Sequence, residues 1–184
     1  MSSFKLKKYL TTNIYRAIRL SLILILIDIS LSAQSSGNIT DISFKNEQTV
    51  ILSGENGLIM RSDNSGASWS DISANITNVI YTCAFAEYPE SHNSFSLIMA
   101  AGENGIILRS SDAGNTWNFS SGITMNDLHD ILIYDQNNYY ICGNNGTILH
   151  STDHGESWNE VSLKTSMNLK KMVSLPPGSS RVIN

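Results

Sequence analysis

Three stretches of this chain align with one another without a gap: "GENGLIMRSDNSGASW" from Gly54 to Trp69, "GENGIILRSSDAGNTW" from Gly102 to Trp117, and "GNNGTILHSTDHGESW" from Gly143 to Trp158. Successive tryptophans lie 48 and then 41 residues apart, and all three tryptophans of the chain occupy that one position. A second element recurs upstream, as "ITDISF" at Ile39, "IYTCAF" at Ile80 and "LHDILI" at Leu128, each apolar at its first, fourth and sixth residues. A period of this length means an array of equal supersecondary units, and it overrides any reading of a single motif in isolation.

Within a unit, short β-branched and aromatic runs alternate with turn residues. The order is strand, strand, Gly-x-Asn-Gly turn, strand, Asp/Gly turn, strand. Nothing after the N-terminal segment keeps an apolar 3.6-residue period, so helix has little place. Four antiparallel strands in this length make a β-propeller blade, which cannot bury both faces alone and stacks around an axis. The expected fold is all-β, with three complete blades at about 38–74, 78–121 and 126–163 and part of a fourth at 167–184. In that last piece Leu169, Met172 and Ser174 fall on the positions of Ile39, Ile42 and Phe44. Closed propellers typically have about 4 to 8 blades. The sequence therefore reads as an incomplete propeller, either truncated or closed by self-association through open blade edges. The longer second period traces to an insertion near "EYPESHN", Glu87 to Asn93, whose proline and polar residues fit an exposed loop.

The first 33 residues read as an address. Lys5, Lys7, Lys8, Arg16 and Arg19 flank the start of "LSLILILIDISLSAQ", whose unbroken apolar part ends at Asp28. That is short of the roughly 20 residues of a membrane span and fits the apolar region of a secretory signal followed by a small-residue cleavage site. The expectation is a signal peptide over 1–33 and a protein that is secreted, periplasmic or on the cell surface. Membrane contact would come only through that segment if it stays uncleaved. From Gln34 onward 7 basic and 15 acidic residues leave a net charge of −8, which repels phosphate backbones and argues against nucleic acid as a partner.

The end of each long repeat resembles the Asp-box, S-x-D-x-G-x-[TS]-W, of the BNR-repeat propellers. Ser110, Asp112, Gly114, Thr116 and Trp117 match every fixed position, as do Ser151, Asp153, Gly155, Ser157 and Trp158. The first copy, with Ser62, Asn64, Gly66 and Trp69, carries Asn where the Asp belongs. Each residue has a folding reason. The carboxylate accepts turn N–H groups, the glycine permits positive φ, and the tryptophan fills space beside the turn. Asn accepts the same bonds without charge, so the first turn is expected to be weaker. The Gly-x-Asn-Gly run followed directly by an Asp-box is most similar to the photosystem II stability/assembly factors and their non-photosynthetic bacterial relatives. The resemblance implies that the Asp-box hairpin joins strands three and four, opposite the face where sialidases keep their active site.

Catalytic constellations are weak. A sialidase needs a converging arginine triad, and only Arg61, Arg109 and Arg181 follow the leader; Arg61 and Arg109 share one repeat position, which His150 takes in the third unit. Glu55 and Glu103, on the Gly-x-Asn-Gly turns, are the best pair of carboxylates for a glycosidase, but they too are repeat-equivalent and give way to Asn144. Cys83 and Cys142 read as small buried residues on different blades, with a disulfide left open. His92, His129, His150 and His154 show no metal-ligand spacing, and no cofactor motif is present. The sequence reads as a non-catalytic extracytoplasmic module that binds a protein or glycan or supports assembly. The alternatives are an assembly factor for a membrane complex and a fragment of a glycoside hydrolase.

Overall fold

A computed structural model describes residues 37–86, 97–120 and 122–174. The leader, the insertion at Glu87 to Asn93 and the last residues of the proposed fourth blade lie outside them. Twelve short strands form three four-stranded antiparallel sheets in chain order. The first blade is β1 (Ile39–Phe44), β2 (Val50–Gly54), β3 (Ile59–Ser62) and β4 (Ser70–Asp71). The second is β5 (Ile80–Ala86), β6 (Leu97–Gly102), β7 (Ile107–Ser110) and β8 (Asn118–Ser120). The third is β9 (Leu128–Ile133), β10 (Tyr139–Gly143), β11 (Ile148–Ser151) and β12 (Asn159–Glu160). These are propeller blades, and the described residues do not close a ring.

Alternation along each strand sends side chains to the two faces of its sheet, and the faces of successive blades are pressed together. Ile51 and Ile59 of the first blade meet Ile80, Cys83, Ile98, Ala100 and Leu108 of the second in one buried cluster. A second cluster joins Met99, Ala101 and Ile107 to Leu128, Ile131, Tyr139, Ile141 and Leu149 of the third. The core therefore lies between blades, not within them. Residues Met167–Ser174 continue the pattern without forming a strand. The Leu169 N–H donates to the Gly143 carbonyl at 2.9 Å, and the Met172 N–H donates to Asp130 Oδ2 at 2.7 Å. They occupy on the third blade the place that an inner strand occupies on the first two.

The Gly-x-Asn-Gly turn between the second and third strands is a single 3-10 turn in every blade: Glu55–Gly57, Glu103–Gly105 and Asn144–Gly146. Its asparagines, Asn56, Asn104 and Asn145, take φ of 57°, 57° and 54°, a left-handed conformation that Asn tolerates better than most residues. The glycine after each is needed for space as well. A Cβ on Gly105 would come 2.1 Å from the Thr124 carbonyl oxygen of the segment leading into the next blade.

Candidate functional site

Antiparallel order puts the Gly-x-Asn-Gly turns and the crossings between blades at one end of the sheets, and the Asp-box hairpins at the other. At the first end each inner strand carries the same irregularity. The pairing steps from Ile39↔Gly54 to Asp41↔Ser53, from Ile80↔Gly102 to Thr82↔Ala101, and from Leu128↔Gly143 to Asp130↔Cys142. The residue skipped by the ladder is Thr40, Tyr81 and His129 in turn. Such a bulge frees a side chain from the sheet and re-aims it. Lys170 holds the same repeat position beyond the third blade.

These four residues form a connected row. The Thr40 hydroxyl donates to the Ile80 carbonyl of the next blade. The Tyr81 and His129 rings lie 5.0 Å apart, tilted by 50°. His129 Nε2 sits 2.8 Å from Asn144 Oδ1 and 2.6 Å from Lys170 Nζ. Burial raises the Tyr81 phenol above its ordinary pKa, helped by the negative charges of Asp127 and Glu103.

The two turn glutamates lie beside this row, already engaged. Glu55 Oε2 accepts from the Asn38 N–H at 3.2 Å and Oε1 from Asn38 Nδ2 at 2.9 Å; these bonds, the side-chain one foremost, lower the Glu55 pKa. Glu103 Oε2 accepts from the Val79 N–H at 3.2 Å. Each carboxylate thus ties its turn to the residue that enters its own inner strand. In the third blade Asn144 Nδ2 instead donates to Asp127 Oδ2 at 3.2 Å. A carboxylate repeated for a backbone bond is a structural part.

At the opposite end the Asp-box residues share one geometry, with the serine as its pivot. The fully buried Ser110 hydroxyl donates to Asp112 Oδ1 at 2.8 Å and accepts the Gly114 N–H at 2.8 Å. Asp112 Oδ1 takes the Thr116 N–H at 2.8 Å, and Oδ2 takes the Thr116 hydroxyl at 2.7 Å. Ser151, Asp153, Gly155 and Ser157 repeat these bonds. In the first blade Asn64 Oδ1 still accepts from Ser62 and from the Ser68 N–H, each at 2.9 Å, while its Nδ2 donates to the Ser68 hydroxyl at 2.8 Å. That last bond is reversed: a hydroxyl is both donor and acceptor, so the amide fits where a carboxylate did. Partial burial opposes ionisation of Asp153, but the hydroxyl and N–H of Ser157 and the hydroxyl of Ser151 outweigh it and hold the pKa at about 2. The Thr116 hydroxyl and N–H, with the Ser110 hydroxyl, lower that of Asp112.

The boxes also join blades. Arg61 Nη1 donates to the Ala113 carbonyl of the second box at 2.9 Å, and Arg109 Nε to the His154 carbonyl of the third at 2.9 Å. The repeated arginines are thus clamps on the next blade. Trp117 is only partly buried; its Nε1 donates to the Ile72 carbonyl of the first blade at 2.6 Å. Trp158 is buried to 7 % exposure, and its Nε1, like that of Trp69, has no partner among the described residues. The equal tryptophan positions are therefore unequal in space.

Sequence reasoning missed the aspartates of the inner strands. Asp41 Oδ2 accepts from the Cys83 N–H at 3.0 Å and from the Thr82 hydroxyl at 3.1 Å, reaching into the next blade. The buried Asp130 does the same for Met172 and pairs with Lys171 at 2.8 Å. The available signal was a charge at one repeat position of two apolar strands. Cys83 and Cys142 are both buried free thiols. Cys83 packs between the first two blades, whereas Cys142 Sγ lies against the Leu169 carbonyl beyond the third, so the disulfide left open by the sequence is not formed. Burial raises both thiol pKa values, that of Cys142 to about 11. Among the described residues no group of three or more His, Cys, Asp or Glu is placed to hold a metal, and no helix is long and apolar enough to cross a membrane.

The sequence profile of the family described as "Photosynthesis system II assembly factor YCF48" matches residues 68–175. A search of curated proteins returned no match. Among solved structures, "YCF48 bound to D1 peptide" superposes with a TM-score of 0.59 at 18% identity, over 72% of this chain and 42% of that one. YCF48 from Cyanidioschyzon merolae gives 0.57 at 17% identity, again over 72% and 42%. An ancestral GH74 enzyme gives 0.53 at 17% identity, over 69% of this chain and 19% of its own. The chain thus spans less than half the length of each, and at these identities the likeness is one of fold.

Proposed function

The chain belongs to the photosynthesis system II assembly factor YCF48 family, and from that premise we propose that it is a non-catalytic binding module that supports assembly of a membrane protein complex outside the cytoplasm. The observation that carries this reading is the bulged row. Scaffold positions recur from blade to blade because every blade needs them. Thr40, Tyr81, His129 and Lys170 differ at every copy, and the first three are the side chains lifted out of the ladder. A position free of the fold's demands and re-aimed by a bulge is where recognition can be placed. The row offers an aromatic ring, an imidazole and an ammonium, with the acids of the adjoining turns beside them. That is a surface for hydrogen-bonding groups of a protein partner, consistent with the peptide bound by the YCF48 structure.

The occupied turn carboxylates support the absence of catalysis. Glu55 and Glu103 spend oxygens on backbone N–H groups, whereas a glycosidase pair faces a sugar across a cleft. The export address read in residues 1–33 supports the location.

The test is a photo-crosslinking residue at position 129, with one at position 115 on the Asp-box face as control. The expected result is a discrete protein adduct from the membrane fraction at 129 and none at 115. Equal labelling at both positions, or release of reducing sugar from a polysaccharide panel by the purified protein, overturns the reading.

A further inference from the structure

The third blade carries an open groove of about 490 Å³, lined by Leu132, Tyr134 and Tyr140 on one side and by Met172 and Val173 on the other. Tyr134 is 59% exposed and Val173 79% exposed. We propose that this groove is a strand-addition site, in which an extended segment of a partner polypeptide pairs antiparallel with Lys171–Ser174 and places a small apolar side chain against Tyr140.

The first argument is the free edge. The Met172 N–H is turned back onto Asp130. Main-chain groups alternate sides along an extended chain, so those of Lys171 and Val173 face outward, where they have no backbone partner among the described residues. In the second blade the equivalent residues, Thr82 and Ala84, pair with Ala101 and Met99 of β6. The edge is therefore the one that a second strand takes in a complete blade.

The second argument is the internal precedent for the occupant. Tyr140 holds the repeat position of Ile51. Ile51 is buried against Ile98 and Ala100, which lie opposite Phe85 and Cys83 in the ladder. Those ladder partners correspond to Ser174 and Met172. The groove thus lacks two side chains of known register: a small one opposite Met172 and a larger apolar one opposite Ser174. Strand addition supplies both, with main-chain bonds for affinity and alternate side chains for selectivity. This surface is separate from the bulged row and its occupancy does not depend on that reading.

The probe is a fluorescent peptide repeating the sequence of residues 97–102 between lysine tails, titrated into the full chain and followed by anisotropy. Saturable binding is expected. Val173→Pro, which removes an outward N–H from an exposed residue, should weaken it by about tenfold or more, while Val173→Ala stays within about twofold. Lysine at the peptide position that mimics Ala100 should weaken it comparably, because that side chain enters the groove. Circular dichroism melting of Val173→Pro and Val173→Ala alongside the parent separates loss of the edge from loss of the fold. Equal affinity of the proline and alanine variants, or no saturable binding up to about 1 mM peptide, overturns the proposal.

Discussion

At the residue scale the Asp-box serine matters as much as the aspartate that names the motif. Ser110 is fully buried and holds three groups at once: Asp112 Oδ1, the Gly114 N–H and, at 3.4 Å, the Asp112 N–H. Ser110→Ala leaves a buried N–H without a partner and should cost about 1 to 3 kcal/mol, read as a lower urea midpoint at unchanged slope. The aspartates give a pH signature. Their folded-state pKa values lie below the ordinary 3.8, at about 2 for Asp153. The stability they contribute is fully present above the unfolded value and is lost as pH falls from about 4 through 2. Asp153→Asn should flatten the acid-unfolding curve in that window and leave the neutral-pH melt less affected. The first blade performs this substitution naturally at Asn64, whose side chain keeps the bonding pattern by reversing one bond.

At the element scale, stability resides in the junctions. Trp117 joins the second blade to the first through its bond to the Ile72 carbonyl, whereas the Trp158 N–H is orphaned. Trp117→Phe should therefore cost about 1 kcal/mol more than Trp158→Phe, the net worth of one hydrogen bond, by circular dichroism melting. Because Trp117 is only partly buried, its truncation to alanine should cost less than that of Trp158, which sits in the core cluster of the last junction. Gly114 is set by the same junction: its φ is +96° and a Cβ would approach Ile72 Cδ1 to 2.5 Å. Gly114→Ala should cost roughly 1 to 3 kcal/mol from overpacking, with the positive φ adding to it.

At the scale of the whole molecule the chain behaves as a linear array. Each blade touches its neighbours, so its stability approximates a sum of blade and junction terms. Arg61 and Arg109 clamp different junctions. Arg61→Ala and Arg109→Ala should each lower the urea midpoint, and their effects should add to within about 0.5 kcal/mol in the double variant. A large coupling between them would mean that the three blades act as one rigid unit. The two buried thiols report on the same array: neither should react with a thiol reagent in the native state, and both should react on unfolding.

The array, its blade boundaries in outline and the identity of the box residues were legible in the sequence because they are local and repeated. A turn needs its serine, acid and glycine wherever it occurs, so the pattern recurs three times and exposes itself. The choice of partners across blades was not legible, because it depends on how neighbouring sheets are rotated and pressed together. That rotation gives Trp117 a carbonyl and leaves Trp158 without one, makes Arg61 and Arg109 clamps instead of a substrate triad, and turns Glu55 and Glu103 onto backbone N–H groups. It also reveals Thr40, Tyr81 and His129 as bulge residues. Periodicity in the chain places residues along a strand; only tertiary packing decides which of them the ladder keeps and which it releases, because a bulge is a property of a strand pair and not of either strand alone.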